Sequence, residues 1–198
     1  IKGKLEEHHL LRSTKLVEVD AGQTIKLGKF SVEFIRSCHS IPDSVMLAIT
    51  TTAGTILHTG DFKIDYTPID GKPMDLGRIA ELGNKGILAL MSDSTNSERK
   101  GFTMSEKSVG AVFDKLFMNC KKRIVVATFA SNVHRVQQIV DSAVKYGRKI
   151  AVCGRSMINM IENARALGYI NAPEDIFIDI DLIRNYNDEQ LVIITTGS

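Results

Sequence analysis

From Met104 onward, short apolar runs alternate with stretches of helical periodicity. SEKSVGAVFDKLF, RIVVATF, NVHRVQQIVDSAVKYG, KIAVCG and SMINMIENARALG follow one another, and FIDI and LVIITTG close the series as strands. Strands that are apolar at consecutive positions, each followed by a helix, imply a parallel sheet with helices covering its faces. Before Met104 the chain reads mostly as strands: TKLVEV, FSVEFIRS, SVMLAITT, GTILHTG and ILALMSDS are β-branched-rich and separated by Gly, Pro and Asp. Asp20-Ala21-Gly22-Gln23 and Thr52-Ala53-Gly54 carry hairpin-turn chemistry, and one helix over about residues 75–82 interrupts before Gly83. Thr103-Met104-Ser105-Glu106 marks the change of rhythm, with Thr103 or Ser105 as the cap of the next helix and Glu106 in its first turn. The expected class is α/β. No repeat or low-complexity segment is visible.

The composition agrees with a folded chain. Of 198 residues, 43% are hydrophobic and 24% charged, which excludes a disordered tail. No apolar run approaches the roughly 20 residues that cross a bilayer. The length suits one large domain or two small ones. Cys38, Cys120 and Cys153 are odd in number and widely spaced, so neither a disulfide framework nor a metal knuckle is expected, and a reducing cytoplasm is the better setting. The chain starts at Ile1 without a leader and stops within LVIITTGS, so it reads as a piece of a longer protein. The net charge of +2 conceals polarity: residues 115–155 carry nine basic side chains and one acidic, and residues 156–198 two basic and seven acidic. A basic region suits a phosphate backbone, and some of these residues equally suit solvated helix faces.

Several positions are candidates for chemistry. His39 in SCHSIPDS and Asp61 in HTGDFK follow apolar strands, where side chains are held rigidly at a cleft. An imidazole and a carboxylate suit zinc or manganese, yet either residue also serves as an ordinary hydrogen-bonded turn residue. Ser92-Asp93-Ser94-Thr95-Asn96 follows ILALM and could orient a catalytic histidine, hold a phosphate or form an Asx turn. Ser131-Asn132-Val133-His134-Arg135 stands where a strand runs into a helix, a place for phosphate or simply for an N-cap. Gly154-Arg155-Ser156 repeats the arrangement one βα unit later. His8 and His9 read as exposed on a polar helix, His58 as a core histidine or a support for a ligand, Met157 and Met160 as core, and Cys153 as a buried thiol.

HSIPDS, HTGDFK, SDSTNSE, ATFASNVHRVQQI and CGRSM, in this order, resemble the ribonuclease J family, in the β-CASP branch of the metallo-β-lactamase superfamily. The resemblance covers essentially the whole chain. It implies that residues 1–104 belong to a four-layered αββα metallo-β-lactamase core, before an insertion, and that residues 105–198 begin the inserted β-CASP α/β domain with its mainly parallel sheet. By motif, His39 resembles a metal-binding histidine, Asp61 the aspartate that bridges two zinc ions, and Asp93 the acidic residue supporting a catalytic histidine later in the chain. Ser131, Asn132 and Val133 resemble the segment that contacts RNA, with Ser94, His134, Arg135, Arg155 and Ser156 as further phosphate or RNA contacts. The implied activity is metal-dependent 5′-to-3′ exonuclease and endonuclease cleavage of RNA, in mRNA decay and rRNA maturation. Two zinc ions, or manganese, would activate the attacking water. A homodimer or homotetramer, other RNA-decay proteins as partners, no membrane and a cytoplasmic location are implied with it.

The family's HxHxDH motif is absent from this chain and would lie upstream, while the later β-CASP histidines would follow Ser198. The segment alone is therefore expected to be inactive. The rival readings are a DNA-directed or mRNA 3′-end-processing β-CASP nuclease, a non-catalytic nucleic-acid-binding β-CASP module, and a small-molecule hydrolase of β-lactamase type. The last leaves the β-CASP motifs unexplained.

Overall fold

A computed structural model of the chain describes residues 1–196. Two sheets follow one another along the sequence, as mixed α/β structure. The first has strand order β1-β2-β3-β4-β5 and contains β1 (Thr24–Leu27), β2 (Phe30–Arg36), β3 (Val45–Thr51), β4 (Gly54–His58) and β5 (Ala89–Met91). Its first four strands pair antiparallel, because two-residue turns join β1 to β2 and β3 to β4. Gly28 opens the first of these turns at φ 62°, a conformation that needs no Cβ. A short helix, α1 (Lys2–Glu7), precedes this sheet, and the connection from β4 to β5 runs through α2 (Leu76–Lys85) and gives a parallel pair. Asp75 caps α2 by accepting from the Arg78 N–H at 2.9 Å. The Arg78 guanidinium then grips Glu33 of β2 at 2.6 and 2.9 Å and seats the helix on the sheet.

The second sheet has order β6-β9-β7-β8 and is parallel throughout: β6 (Ile124–Thr128), β7 (Lys149–Cys153), β8 (Phe177–Ile178) and β9 (Leu191–Thr196). The expected mainly parallel sheet is therefore present. α3 (Lys107–Asn119) precedes β6, α4 (Val133–Lys145) carries the chain from β6 to β7, and α5 (Arg155–Ala166) follows β7. Leu191, Val192 and Ile194 are fully buried, as a central strand covered on both faces requires. Among the described residues, no helix is long and apolar enough to cross a membrane.

Some local expectations fail for identifiable reasons. TKLVEV forms no strand; Leu16 and Val17 stay exposed, and the first strand begins only at Thr24. The turn at Asp20–Gln23 exists, with the Gln23 N–H donating to the Asp20 carbonyl at 3.1 Å, but it leads into β1 and joins no strand pair. α2 continues through Gly83 to Lys85. FIDI yields two strand residues, since Asp179 turns to cap a 3-10 segment by accepting from the Asp181 N–H. The end of LVIITTG, at Gly197, lies outside the described residues. Cys153 is exposed at the carboxyl end of β7, not buried, because the strand's apolar packing ends one residue earlier. His58 is also exposed rather than in the core; its Nδ1 accepts from the Gly60 N–H at 3.1 Å.

Each sheet builds its own apolar cluster. Ile35, Met46, Ala48 and Leu57 pack with Met74 and Leu82 in the first. Phe113, Phe117, Val136, Ile139, Val140, Ile150 and Met157 centre a larger one in the second, with Met160 partly buried against it. The two clusters share no residue, and a polar seam joins the halves. Asp65, with a side chain 4% exposed, accepts from the Thr67 N–H at 3.0 Å and the Glu106 N–H at 3.3 Å, with Lys63 Nζ 3.9 Å away. The Ser105 hydroxyl donates to the Thr67 carbonyl at 3.0 Å rather than simply capping α3. Lys63 Nζ donates to the Met104 carbonyl at 2.5 Å.

The basic run of residues 115–155 is largely committed to structure. Arg148 is 3% exposed and donates to the carbonyls of Cys120, Lys122 and Leu191. Arg123 pairs with Asp188, Lys145 with Asp114, Lys149 with Asp175 and Arg135 with Glu106. Lys121, Lys122, Arg123, Arg148 and Lys149 lie at the amino ends of β6 and β7, opposite the Ser131 segment. Five strand residues separate the two ends of β6, about 16 Å. The expected basic surround of Ser131 is thus reduced chiefly to Arg155, since charges close in sequence fall at opposite ends of a strand.

Replacing Arg148 by Met should cost about 1–3 kcal/mol in urea unfolding, because buried carbonyls lose their donors. Asp65 offers a pH test. Burial raises its pKa, but the N–H groups of Thr67 and Glu106, the Ser105 hydroxyl and Lys63 outweigh burial and leave it below the ordinary carboxylate value. Its contribution is complete above that ordinary value and lost as pH falls through the depressed folded-state value. Asp65→Asn should therefore be less stable than wild type at pH 7, and the gap should close as pH is lowered from about 5 to about 2. A constant gap across that range in pH-dependent urea midpoints would contradict the assignment.

Candidate functional site

Strand direction assembles the site. β2 and β4 each run antiparallel to β3, and β5 runs parallel to β4, so the carboxyl ends of β2, β4 and β5 share one edge. The loops leaving those ends carry His39, Asp61 and Asp93. Their chain separations span more than fifty residues, yet all three line one cleft of about 1020 Å³, whose other wall includes Tyr66, Phe102 and Glu106. His39 Nε2 lies 3.9 Å from Asp61 Oδ2. Asp61 is 79% exposed and free to meet a ligand, while His39 is 34% exposed.

Asp93 is held from several sides. Its backbone N–H donates to the Thr59 hydroxyl at 2.9 Å, and the Thr59 N–H donates to the Met91 carbonyl at 3.0 Å, locking the ends of β4 and β5 together. The Asp93 carboxylate accepts from the Thr95 N–H at 2.9 Å, the Asx turn that its sequence allows. The Thr95 N–H and hydroxyl, the Phe62 N–H and the nearby His39 keep its pKa below the ordinary value, so it is an anion at neutral pH. Ser94 beside it is exposed, and its carbonyl accepts from the Ser97 N–H.

The donors on the cleft match zinc or manganese in kind: one imidazole and nearby carboxylates. They do not match in number. Among the described residues, no three His, Cys, Asp or Glu side chains come together as a metal-holding group. For a metal site, His39 and Asp61 would be part of a ligand set whose remainder is not among the described residues.

At the carboxyl end of β6, Asn132 caps α4 by accepting from the Arg135 N–H at 3.0 Å and is 8% exposed. Ser131 is exposed. Val133 is buried in the core, so only its backbone can meet a substrate. His134 is half-buried between the halves; burial lowers its pKa, against the pull of Asp70, Glu106 and Asp43. Its N–H donates to the Ser40 carbonyl at 3.5 Å, one residue beyond His39. Arg135 does not point freely at a phosphate: Nε and Nη2 bind the two Glu106 oxygens at 2.7 and 2.9 Å. Arg155 and Ser156 are exposed at the start of α5, away from the cleft. There Gly154 adopts φ 102°, and a Cβ on it would lie 3.3 Å from Thr196 Oγ1.

The sequence reading passed over Thr59 and Asp65. The signal for Asp65 was available: Asp65-Tyr66-Thr67 has the same Asp-x-Thr form as Asp93-Ser94-Thr95, and both make an Asx turn. Thr59 carries no such mark, since its role depends on the pairing of β4 with β5.

Comparison with known proteins fits this arrangement. Residues 121–198 match the family model described as "Ribonuclease J, beta-CASP domain". The whole chain aligns with Ribonuclease J of Synechocystis at 51% identity, covering 31% of that protein, and with Ribonuclease J of Helicobacter pylori at 47%, covering 29%. Ribonuclease J2 of Bacillus subtilis is 41% identical over the full chain, which covers 36% of it. A crystal structure of a protein of unknown function from Enterococcus faecalis superposes with a TM-score of 0.61 at 16% identity, over 93% of this chain and 45% of that one, and supports the fold alone. The chain thus spans about a third of the length of the curated relatives it matches, and over its whole length it is similar to proteins named Ribonuclease J.

Proposed function

We propose that the protein to which this chain belongs is a metal-dependent ribonuclease, cleaving RNA phosphodiesters as a 5′-to-3′ exonuclease and as an endonuclease. The observation that carries this reading is the convergence of His39, Asp61 and Asp93 on one cleft. In this reading residues 1–104 belong to the metallo-β-lactamase core and residues 105–198 to the β-CASP insertion. mRNA decay and rRNA maturation in the cytoplasm, by a homodimer or homotetramer that also meets other RNA-decay proteins, complete it.

His39 would offer a ring nitrogen, and Asp61 a bridging carboxylate, to two zinc ions or to manganese; the remaining ligands would come from outside this chain. Such a pair, when bound, supplies Lewis acidity and a water of lowered pKa. Asp93, anionic and tightly held, would orient a histidine from a later segment. The exposed Ser131 hydroxyl would receive a phosphate near the positive end of the α4 dipole. Arg155 and Ser156 would offer a second such point one βα unit later. RNA is preferred over DNA as substrate on the strength of the relatives' names, because contacts to a phosphate backbone do not themselves distinguish the two.

In the full-length protein, Asp61→Ala should lower turnover by more than about 100-fold and reduce bound metal, since even residues that merely support ligands are worth 10–100-fold. Ser131→Ala should mainly raise KM, by about tenfold, as expected for loss of one bond to a charged group. Matched 5′-monophosphorylated RNA and DNA substrates, with metal content measured in parallel, check both. Unchanged turnover and metal content in Asp61→Ala would refute its role. The purified 198-residue chain should show no metal-dependent RNA cleavage, and activity there would refute the incompleteness of its ligand set.

A further inference from the structure

Arg135 and Glu106 form the best-aligned charge pair between the start of α4 and the cleft. Both guanidinium contacts are short, 2.7 and 2.9 Å, and both partners are largely shielded, with side chains 33% and 19% exposed. A fork-to-fork pair of this kind fixes direction as well as distance. It does not stand alone. The Glu106 N–H donates to the buried Asp65 carboxylate, Ser105 donates to Thr67, and Lys63 donates to Met104. Residues 104–106 are thereby fastened to residues 63–67, the segment that leaves Asp61 and lines the same cleft. On the far side, the Arg135 N–H donates to Asn132, so the fastened guanidinium belongs to the same helical turn as the Ser131-Asn132 cap. The His134 N–H meets the Ser40 carbonyl beside His39 and gives the turn a second attachment.

We infer that Glu106 is a positioning residue: through Arg135 it fixes the Ser131-Asn132 cap at a set distance and angle from the His39–Asp61 edge of the cleft. The inference rests on the ribonuclease reading above, and it reassigns Arg135 from phosphate contact to strut. A phosphate held at Ser131 is useful only if the scissile phosphodiester then falls beside the ligands. A misplacement of about 1 Å can slow a reaction by about 100-fold without weakening binding. An ordinary stabilising clamp would not need to join the helix cap to the residues flanking Asp61. It would show its loss in melting temperature and leave the rate of the folded enzyme alone.

The test uses the full-length protein and a 5′-monophosphorylated RNA. Glu106→Gln and Arg135→Ala should each slow single-turnover cleavage at saturating RNA by about 100-fold, with RNA Kd changed less than about threefold. The combined variant should be no slower than either single one, as for two halves of one contact. The exchanged pair, Glu106→Arg with Arg135→Glu, should recover at least tenfold of the lost rate. If Arg135 instead bound phosphate, Arg135→Ala would raise Kd and lower the salt slope of binding by about one, while Glu106→Gln would leave the rate intact. That outcome overturns the proposal, and so does a full cleavage rate in Glu106→Gln. Should a variant be too unstable for kinetics, amide exchange in the first turn of α4 decides: Glu106→Gln should speed it at least tenfold relative to the rest of the helix, and unchanged protection refutes the strut. Failure of the wild-type protein to cleave RNA would remove the ribonuclease reading and this inference with it, whereas normal cleavage by both wild type and Glu106→Gln removes only the inference.

Discussion

The buried carboxylate of Asp65 governs how the two halves of this chain meet. Each half completes its own apolar cluster, so no shared hydrophobic core sets their relation. A polar junction has to do so, and polar groups taken out of water are tolerated only when they are satisfied. Asp65 meets that condition with N–H groups from both halves, Thr67 on its own side and Glu106 on the other. Hydrogen bonds are directional where apolar packing is not. A seam built from them defines an orientation, and the cleft formed along it inherits that definition.

Directionality also explains the cleft itself. The reversing loop over residues 37–44, the tight turn between β3 and β4 and one helical crossover give β2, β4 and β5 a common direction, which delivers His39, Asp61 and Asp93 to one edge. Thr59 then ties the ends of β4 and β5 through its N–H and hydroxyl. The same logic removes most of the basic run from the site. Parallel strands put their amino ends together, so Arg123, Arg148 and Lys149 collect at the end remote from Ser131 and are absorbed by Asp188, backbone carbonyls and Asp175. Clustering of charge along a sequence is poor guidance to clustering in space whenever a strand intervenes.

Much of the architecture was legible because periodicity reports burial directly. The alternation after Met104 announced a parallel sheet, and the continuous apolar run at residues 191–194 announced a strand, which pairing then places between β6 and β7. TKLVEV misled because a short β-branched stretch has strand propensity without a guaranteed partner, and propensity alone does not hold a strand. Cys153 and His58 misled because they stand at strand ends, where burial changes within one residue. Of the site, His39, Asp61 and Asp93 were visible as polar residues ending apolar strands. Asp65 was marked only by its Asp-x-Thr turn pattern, and Thr59 by nothing local, since its role depends on the pairing of β4 with β5.

The sequence by itself determined most of the local elements and their order, the residues able to take part in metal or phosphate chemistry, and the likeness to ribonuclease J. Those properties depend on side-chain type and spacing, which are written along the chain. Only the tertiary structure decided which of those residues share a cleft, which basic groups remain free, and that Arg135 faces Glu106 rather than open solvent. These depend on strand direction and on pairings between residues dozens of positions apart, such as Asp65 with Glu106 and Glu106 with Arg135. Such pairings arise when folding closes long loops around a satisfied polar group, and no local pattern encodes where those loops will close.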